Sequence, residues 1–114
     1  MGERKPGGEL VQGTLDMLIL TSLARRPAHG FGIAEQVRRV SDEVLRIEEG
    51  SLYPALQRLE TQGLIASRWG VSENNRRARY YELTPRGRKQ VGAEVSRWRR
   101  LVRAIDRVID PEGV

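Results

Sequence analysis

The sequence predicts a mainly α fold with one small β-hairpin and a long final helix. Three observations carry this. Apolar residues recur at helical spacing over residues 10–26, 30–42 and 50–62. The period then drops to two over 64–71 and 79–84, on either side of the polar, turn-prone stretch "SENNRRA" with Asn74 and Asn75. Finally, Val91, Val95, Trp98, Val102, Ile105 and Ile109 are spaced 4, 3, 4, 3, 4, which is a heptad seam.

Each element follows from local chemistry. The stretch "MGERKPGGE" is polar and rich in Gly and Pro, and is expected to be a flexible arm over 1–9. The first helix has two apolar faces. Leu15, Leu18, Ile19, Ser22 and Leu23 line one, and Met17, Leu20 and Ala24 the other. A helix apolar on two faces is buried on two sides, so one face is expected to cover the domain core and the other a partner. Pro27 ends it. The second helix has Ile33, Ala34, Val37 and Val40 as its stripe, and the short "PAHG" link makes it a neighbour of the first. Leu45 and Ile47 alternate with Arg46, enough for a minimal strand. The third helix buries Leu52, Ala55, Leu56 and Leu59, with Pro54 in its opening turn, and Gly63 closes it.

Thr84 and Pro85 are the cap and first residue of the last helix, 85–110, with a tail at 111–114. At 1.5 Å per residue that helix is about 39 Å long, more than a small domain covers alone. Its seam is therefore expected to be a dimerisation surface. Residues 10–84 make the remaining unit, and the order helix, helix, short strand, helix, hairpin is that of a winged helix-turn-helix.

Groove geometry assigns the site. The major groove of DNA admits one helix, entered by the first turns of the third helix, while a wing reaches the flanking phosphates. Ser51, Tyr53, Pro54, Gln57 and Arg58 lie outside the leucine stripe of that helix. Hydroxyls bond phosphate oxygens, Gln can read adenine, and Arg can read guanine or hold phosphate. Pro54 offers an apolar surface to a thymine methyl. Arg76, Arg77 and Arg79 make the wing tip basic. Trp69, Tyr80 and Tyr81 are expected to pack the hairpin, with Tyr81 and Leu83 on the core face.

The chain has 20 Lys and Arg against 15 Asp and Glu, net +5, which suits an anionic partner. It has no cysteine, and no apolar run near the roughly 20 residues of a membrane span. A cytoplasmic protein with no membrane partner and no cofactor is expected. Catalysis has little support. His29 is the one histidine and is placed to cap or pack at a helix start. "GFG" at 30–32 is followed by Glu35 where a dinucleotide fingerprint needs glycine. Glu48 and Glu49 suit the helix dipole better than acid/base work. The rival from another class is a winged helix used for protein–protein contact, which would turn apolar residues outward on the third helix. Here those positions are polar apart from one tyrosine and one proline.

The stretches "GTLDMLIL", "HGFGIAEQV", "EEGSLYPALQRLETQGLI" and "SENNRRARYYELTPRGRKQ" together resemble the PadR family of bacterial transcriptional regulators, over roughly residues 10–110. The length resembles the short subgroup with one helix after the wing. The resemblance implies a homodimeric repressor on an inverted-repeat operator in double-stranded DNA. It implies DNA contact by Ser51, Tyr53, Pro54 and Gln57, and by Asn75, Arg76 and Arg77 of the wing. It also implies a dimer through the 85–110 helix, with helix one of the partner packed against it. The expected interface comprises Leu15, Met17, Leu20, Val91, Val95, Trp98, Val102, Ile105 and Ile109. In multidrug-responsive relatives a tryptophan placed like Trp98 sandwiches flat aromatic ligands. A small aromatic or hydrophobic effector at Trp98, or at Met17 and Leu20, is thus one role for this surface, and plain interface packing by Trp98 is the other. Where the family often has tyrosine, this chain has Phe31, which leaves an aromatic packing role.

Overall fold

The computed structural model describes residues 12–111. The elements run α1 (Gln12–Arg25), β1 (Ala28–His29), α2 (Gly30–Val40), α3 (Glu49–Thr61), β2 (Ile65–Val71), β3 (Arg77–Leu83) and α4 (Pro85–Ile109). The expected helices and hairpin are present close to their expected bounds. The arm at 1–9, the first two residues of the expected first helix and residues 112–114 of the tail lie outside the described residues.

One element is not where the sequence pattern puts it. Residues 45–48 form no strand; instead Ala28–His29, inside the "PAHG" link, takes the free edge of β3. The antiparallel sheet has the order β1-β3-β2, with Ala28 opposite Tyr81 and His29 opposite Tyr80. Leu45 is instead held by its own amide, which donates to Ser41 Oγ at 2.9 Å. Ile47 packs as a partly buried residue on the core.

The core joins Ile19, Leu20 and Leu23 of α1 to Ile33 of α2, to Leu52, Leu56 and Leu59 of α3, and to Ile65, Tyr81 and Leu83 of the sheet. Tyr81 and Leu83 do share the core face. Burying each such aliphatic side chain contributes about 1.5–3 kcal/mol relative to leaving it in water.

Leu15, Met17 and Leu20, expected at a partner subunit, are all buried within the protomer, at 5%, 9% and 1% exposure. The reason is that α1 runs through the middle of the domain, in contact with α2, α3 and β3 and also with α4. The chain's own last helix covers the second apolar face. Val91 is likewise spent on the protomer, packed against the core.

The start of α4 is fixed by three contacts. Thr84 Oγ1 accepts from the Gly87 amide at 3.0 Å and donates to the Gly63 carbonyl at 2.7 Å. Gly63 takes φ +79°, the left-handed turn after α3. Gly87 seats against Leu64 so closely that a Cβ there would stand 2.0 Å from the Leu64 carbonyl oxygen. Beyond Val95 the residues of α4 are exposed apart from the half-buried Val102. The radius of gyration is 15.7 Å, against about 13 Å for a compact chain of 100 residues.

Candidate nucleic-acid interface

On α3 the pattern sorts as the leucine stripe predicts. Leu52, Ala55, Leu56 and Leu59 are buried at 0–1% exposure, while Ser51, Tyr53, Pro54 and Gln57 face out. Pro54 falls in the second turn rather than the first, because the helix begins at Glu49. Its missing N–H removes the bond that the carbonyl of Gly50, an exposed residue, would otherwise accept. Glu48 caps the helix without a side-chain hydrogen bond.

Tyr53 is 46% exposed, and one edge of its ring lies on Gly30 at the start of α2. A Cβ on residue 30 would be 2.8 Å from both Tyr53 Cε1 and Oη. The ring thus leans on the neighbouring helix and keeps about half its surface outward. His29, beside it in sequence, caps α2: its Nδ1 accepts from the Gly32 amide at 3.0 Å. Its ring meets Tyr80 edge-on at 5.1 Å, and Nε2 lies 3.6 Å from Glu73 in the wing turn. The expected capping and packing roles both hold. Phe31 does not pack into the domain; it is 63% exposed, 6.4 Å from the His29 ring.

Arg58 departs from its expected outward position. Its Nη2 donates to Asp16 Oδ1 at 2.5 Å, the side chain is 29% exposed, and its buried Nε has no partner. The long side chain turns back across α1 because an acid half-buried there needs a cation. Burial pushes the Asp16 carboxyl above its ordinary range, and Arg58 offsets this only in part.

The wing is more built than a basic tip. Trp69 lies opposite Arg79 and Val71 opposite Arg77, on the face that carries Ile65, Leu83 and Tyr81 further in. Trp69 is 56% exposed, with the Arg77 guanidinium 4.5 Å and that of Arg79 5.7 Å from its ring centroid. Ser67 Oγ accepts from Arg79 Nε at 2.9 Å and donates to Glu60 of α3 at 2.7 Å. A chain of contacts therefore ties the wing arginines to α3. Asn75 takes φ +59° in the turn, a conformation Asn tolerates. Arg76 is exposed beside it. The sequence pattern anticipates the arginines but not Trp69 as their platform, nor Gly30 as the seat of Tyr53. The glycine's signal is steric and invisible before packing is known.

Fold and surface together define a winged-helix DNA-binding regulator of transcription. Residues 19–93 match the transcriptional regulator PadR-like family. The chain belongs to that family, whose members are regulators and not enzymes. A transcriptional regulator of Mycobacterium tuberculosis is 34% identical over 80 residues, covering 70% of this chain and 71% of that one. The crystal structure of a PadR family transcription regulator from Clostridium difficile is 30% identical, with a TM-score of 0.72 over 83% of this chain and 97% of that one. A transcriptional regulator from Clostridium thermocellum gives 33% identity and a TM-score of 0.76, over 85% and 91% of the two chains. No helix among the described residues is long and apolar enough to cross a membrane.

Proposed function

We propose that this regulator acts in the cytoplasm as a homodimeric repressor that sets two copies of α3 into successive major grooves of an inverted-repeat operator. The observation that carries the dimer is the bare end of α4. Trp98, Leu101, Ile105, Val108 and Ile109 are 42%, 55%, 46%, 79% and 74% exposed. A row of five large apolar residues on a projecting helix is a surface that water disfavours and a second copy would cover. The seam of the dimer then runs over Val95, Trp98, Val102, Ile105 and Ile109.

In such a dimer the α3 helices stand about 34–36 Å apart, one turn of DNA. Ser51, Tyr53 and Gln57 meet the groove, and Asn75, Arg76, Arg77 and Arg79 of the wing hold flanking phosphates. Arg58 braces α3 from behind through Asp16. A small aromatic effector would insert at Trp98 between subunits, since Met17 and Leu20 are buried within the protomer. Repression follows from occupying the promoter.

Sedimentation equilibrium tests the assembly. A dimer at micromolar concentration is expected, and Ile105→Asp should give a folded monomer that footprints no operator. A wild-type monomer at that concentration would sink the paired-groove geometry.

A further inference from the structure

Most of the net positive charge of this protein lies outside the DNA-reading head. Residues 12–84 carry ten Lys and Arg and nine Asp and Glu, net +1. Five of those ten, Arg38, Arg46, Arg58, Arg68 and Arg79, are in ion pairs. Glu48 and Glu49 stand exposed at the front of α3, where they repel phosphate. By contrast α4 carries eight cations and two acids, net +6, so one helix holds more than the whole chain's +5. The electrostatic term that supplies sequence-independent DNA binding scales with cations presented to phosphates. The head presents few.

The cations of α4 are also ordered. At 100° per residue, Arg86, Lys89, Arg97, Arg100, Arg103 and Arg107 fall within one third of the helix circumference, on the side opposite the apolar seam. All six are exposed. The stripe runs about 32 Å, from a 1.5 Å rise over the interval 86–107. Ala93, Ser96 and Ala104 fill the gaps on the same face with small side chains. Glu94 and Asp106 lie at the margins of the seam instead, and among the described residues only Arg97 pairs with an acid, Glu94 at 3.5 Å. Because the stripe is opposite the seam, covering the seam leaves it in solvent.

We infer that this stripe is a second, sequence-independent DNA-binding surface, which grips the phosphate backbone of a duplex segment other than the one read by α3. Five of its six cations are arginine, whose forked guanidinium suits phosphate oxygens. The face has no aromatic or aliphatic anchor of the kind that forms the centre of a protein interface. The small residues between the arginines let a backbone approach. The stripe starts at Arg86, against Gly63 at the end of α3 remote from the groove-reading turn. A duplex on α4 is therefore additional to the operator and does not extend it, so the protein bridges two DNA segments.

The test uses the full-length protein, a specific duplex selected by it from a random pool, and a second fluorescent 30-base-pair duplex of random sequence. Saturated with the selected duplex, the wild type is expected to hold the random one in a ternary complex. The variant Arg100→Gln/Arg103→Gln/Arg107→Gln should bind the selected duplex unchanged and the random one at least about tenfold more weakly, its salt slope reduced by about 0.9 for each cation lost. Arg100→Lys/Arg103→Lys/Arg107→Lys keeps the charge and should retain the ternary complex. Tyr53→Ala/Gln57→Ala, with the reading head disabled, should still bind the random duplex through α4; a failure of the reading-head assignment would show there, as undiminished binding to the selected duplex. A wild type that forms no ternary complex overturns the inference without recourse to any variant. So does a glutamine variant that bridges as well as the wild type. If instead polyglutamate binds the wild type in an Arg100-dependent way while the random duplex does not, the stripe serves an acidic protein and the inference is wrong.

Discussion

The ring of Tyr53 rests on Gly30, with room for nothing larger: a Cβ at residue 30 would fall 2.8 Å from the tyrosine hydroxyl oxygen. Helices α2 and α3 thus meet through a glycine and a half-exposed aromatic. The contact fixes the ring's direction without burying it.

Gly30→Ala should turn the ring outward or sideways and weaken specific DNA binding about tenfold, a cost of roughly 1.4 kcal/mol. Tyr53→Ala should weaken it as well, with little change in thermal stability, because the side chain is 46% exposed. The pair is diagnostic in a double-mutant cycle. If Gly30 acts by seating Tyr53, adding Gly30→Ala to Tyr53→Ala should bring no further loss of binding. Additive losses would mean that Gly30 matters to the start of α2 for another reason.

The wing makes a similar prediction with a different signature. Trp69→Ala removes the platform under Arg77 and Arg79 but no charge. Each exposed cation–π contact is worth about 0.5–1 kcal/mol. If both contacts are lost, operator affinity should fall about five- to thirtyfold while the slope of log K against log salt stays the same. Arg77→Gln should lower both, by roughly 0.9 in slope. Fluorescence anisotropy at several salt concentrations separates the two cases.

How much of this was open to view in the sequence depends on the kind of signal. Leucine spacing placed α3 and its outward residues, because helical period is a local property. The heptad in α4 showed an apolar seam, but not that Val91 is used by the protomer itself. Periodicity says that a face is covered and is silent about what covers it; Leu15, Met17 and Leu20 are the same case, buried within their own protomer. The two-residue strand at Ala28–His29 has no period at all, and only the open edge of β3 creates it. Arg58 is polar and lies outside the leucine stripe, so the pattern turns it outward. Asp16, distant in sequence, turns it back. The net charge pointed to nucleic acid, yet its concentration on α4 becomes meaningful only when the reading head is seen to be almost neutral.

The Asp16–Arg58 pair bears on pH. Burial raises the Asp16 pKa above its ordinary value of 3.8, with Arg58 and Glu94 acting in opposite directions on it. The folded state therefore holds this proton more tightly than the unfolded chain does. Stability from this group is greatest below the unfolded pKa and falls as pH rises through the folded one. Asp16→Asn does not titrate, so the wild type should lose ground to it in urea denaturation as pH rises above the ordinary carboxyl value of 3.8. Arg58→Met leaves the carboxylate without its cation and should steepen the wild-type trend, moving its end to higher pH. A parallel pair of curves for wild type and Asp16→Asn would show that Asp16 titrates as if in water.

Gly87 sets the last test, because it decides where α4 points. A methyl group there meets a backbone oxygen at 2.0 Å, and the obstacle is main chain, which cannot rotate away. Gly87→Ala must either shift Leu64 at the start of β2 or tilt the first turn of α4. Thr84, whose hydroxyl bridges the Gly63 carbonyl and the Gly87 amide, would lose its geometry with it. The combined cost should be about 2–3 kcal/mol, overpacking plus a lost cap. Thr84→Ala alone should cost about 1 kcal/mol. The two variants differ in a second respect. Thr84→Ala leaves the direction of α4 unchanged and should preserve the proposed dimer and its footprint, whereas a tilted α4 would change the spacing of the two α3 helices in that dimer. A folded Gly87→Ala protein should therefore bind half-sites moved apart or together by a base pair better than the wild-type spacing. Selection of its preferred site from a pool of spaced half-sites measures this directly, and an unchanged preference would show that the clash is absorbed by Leu64 instead.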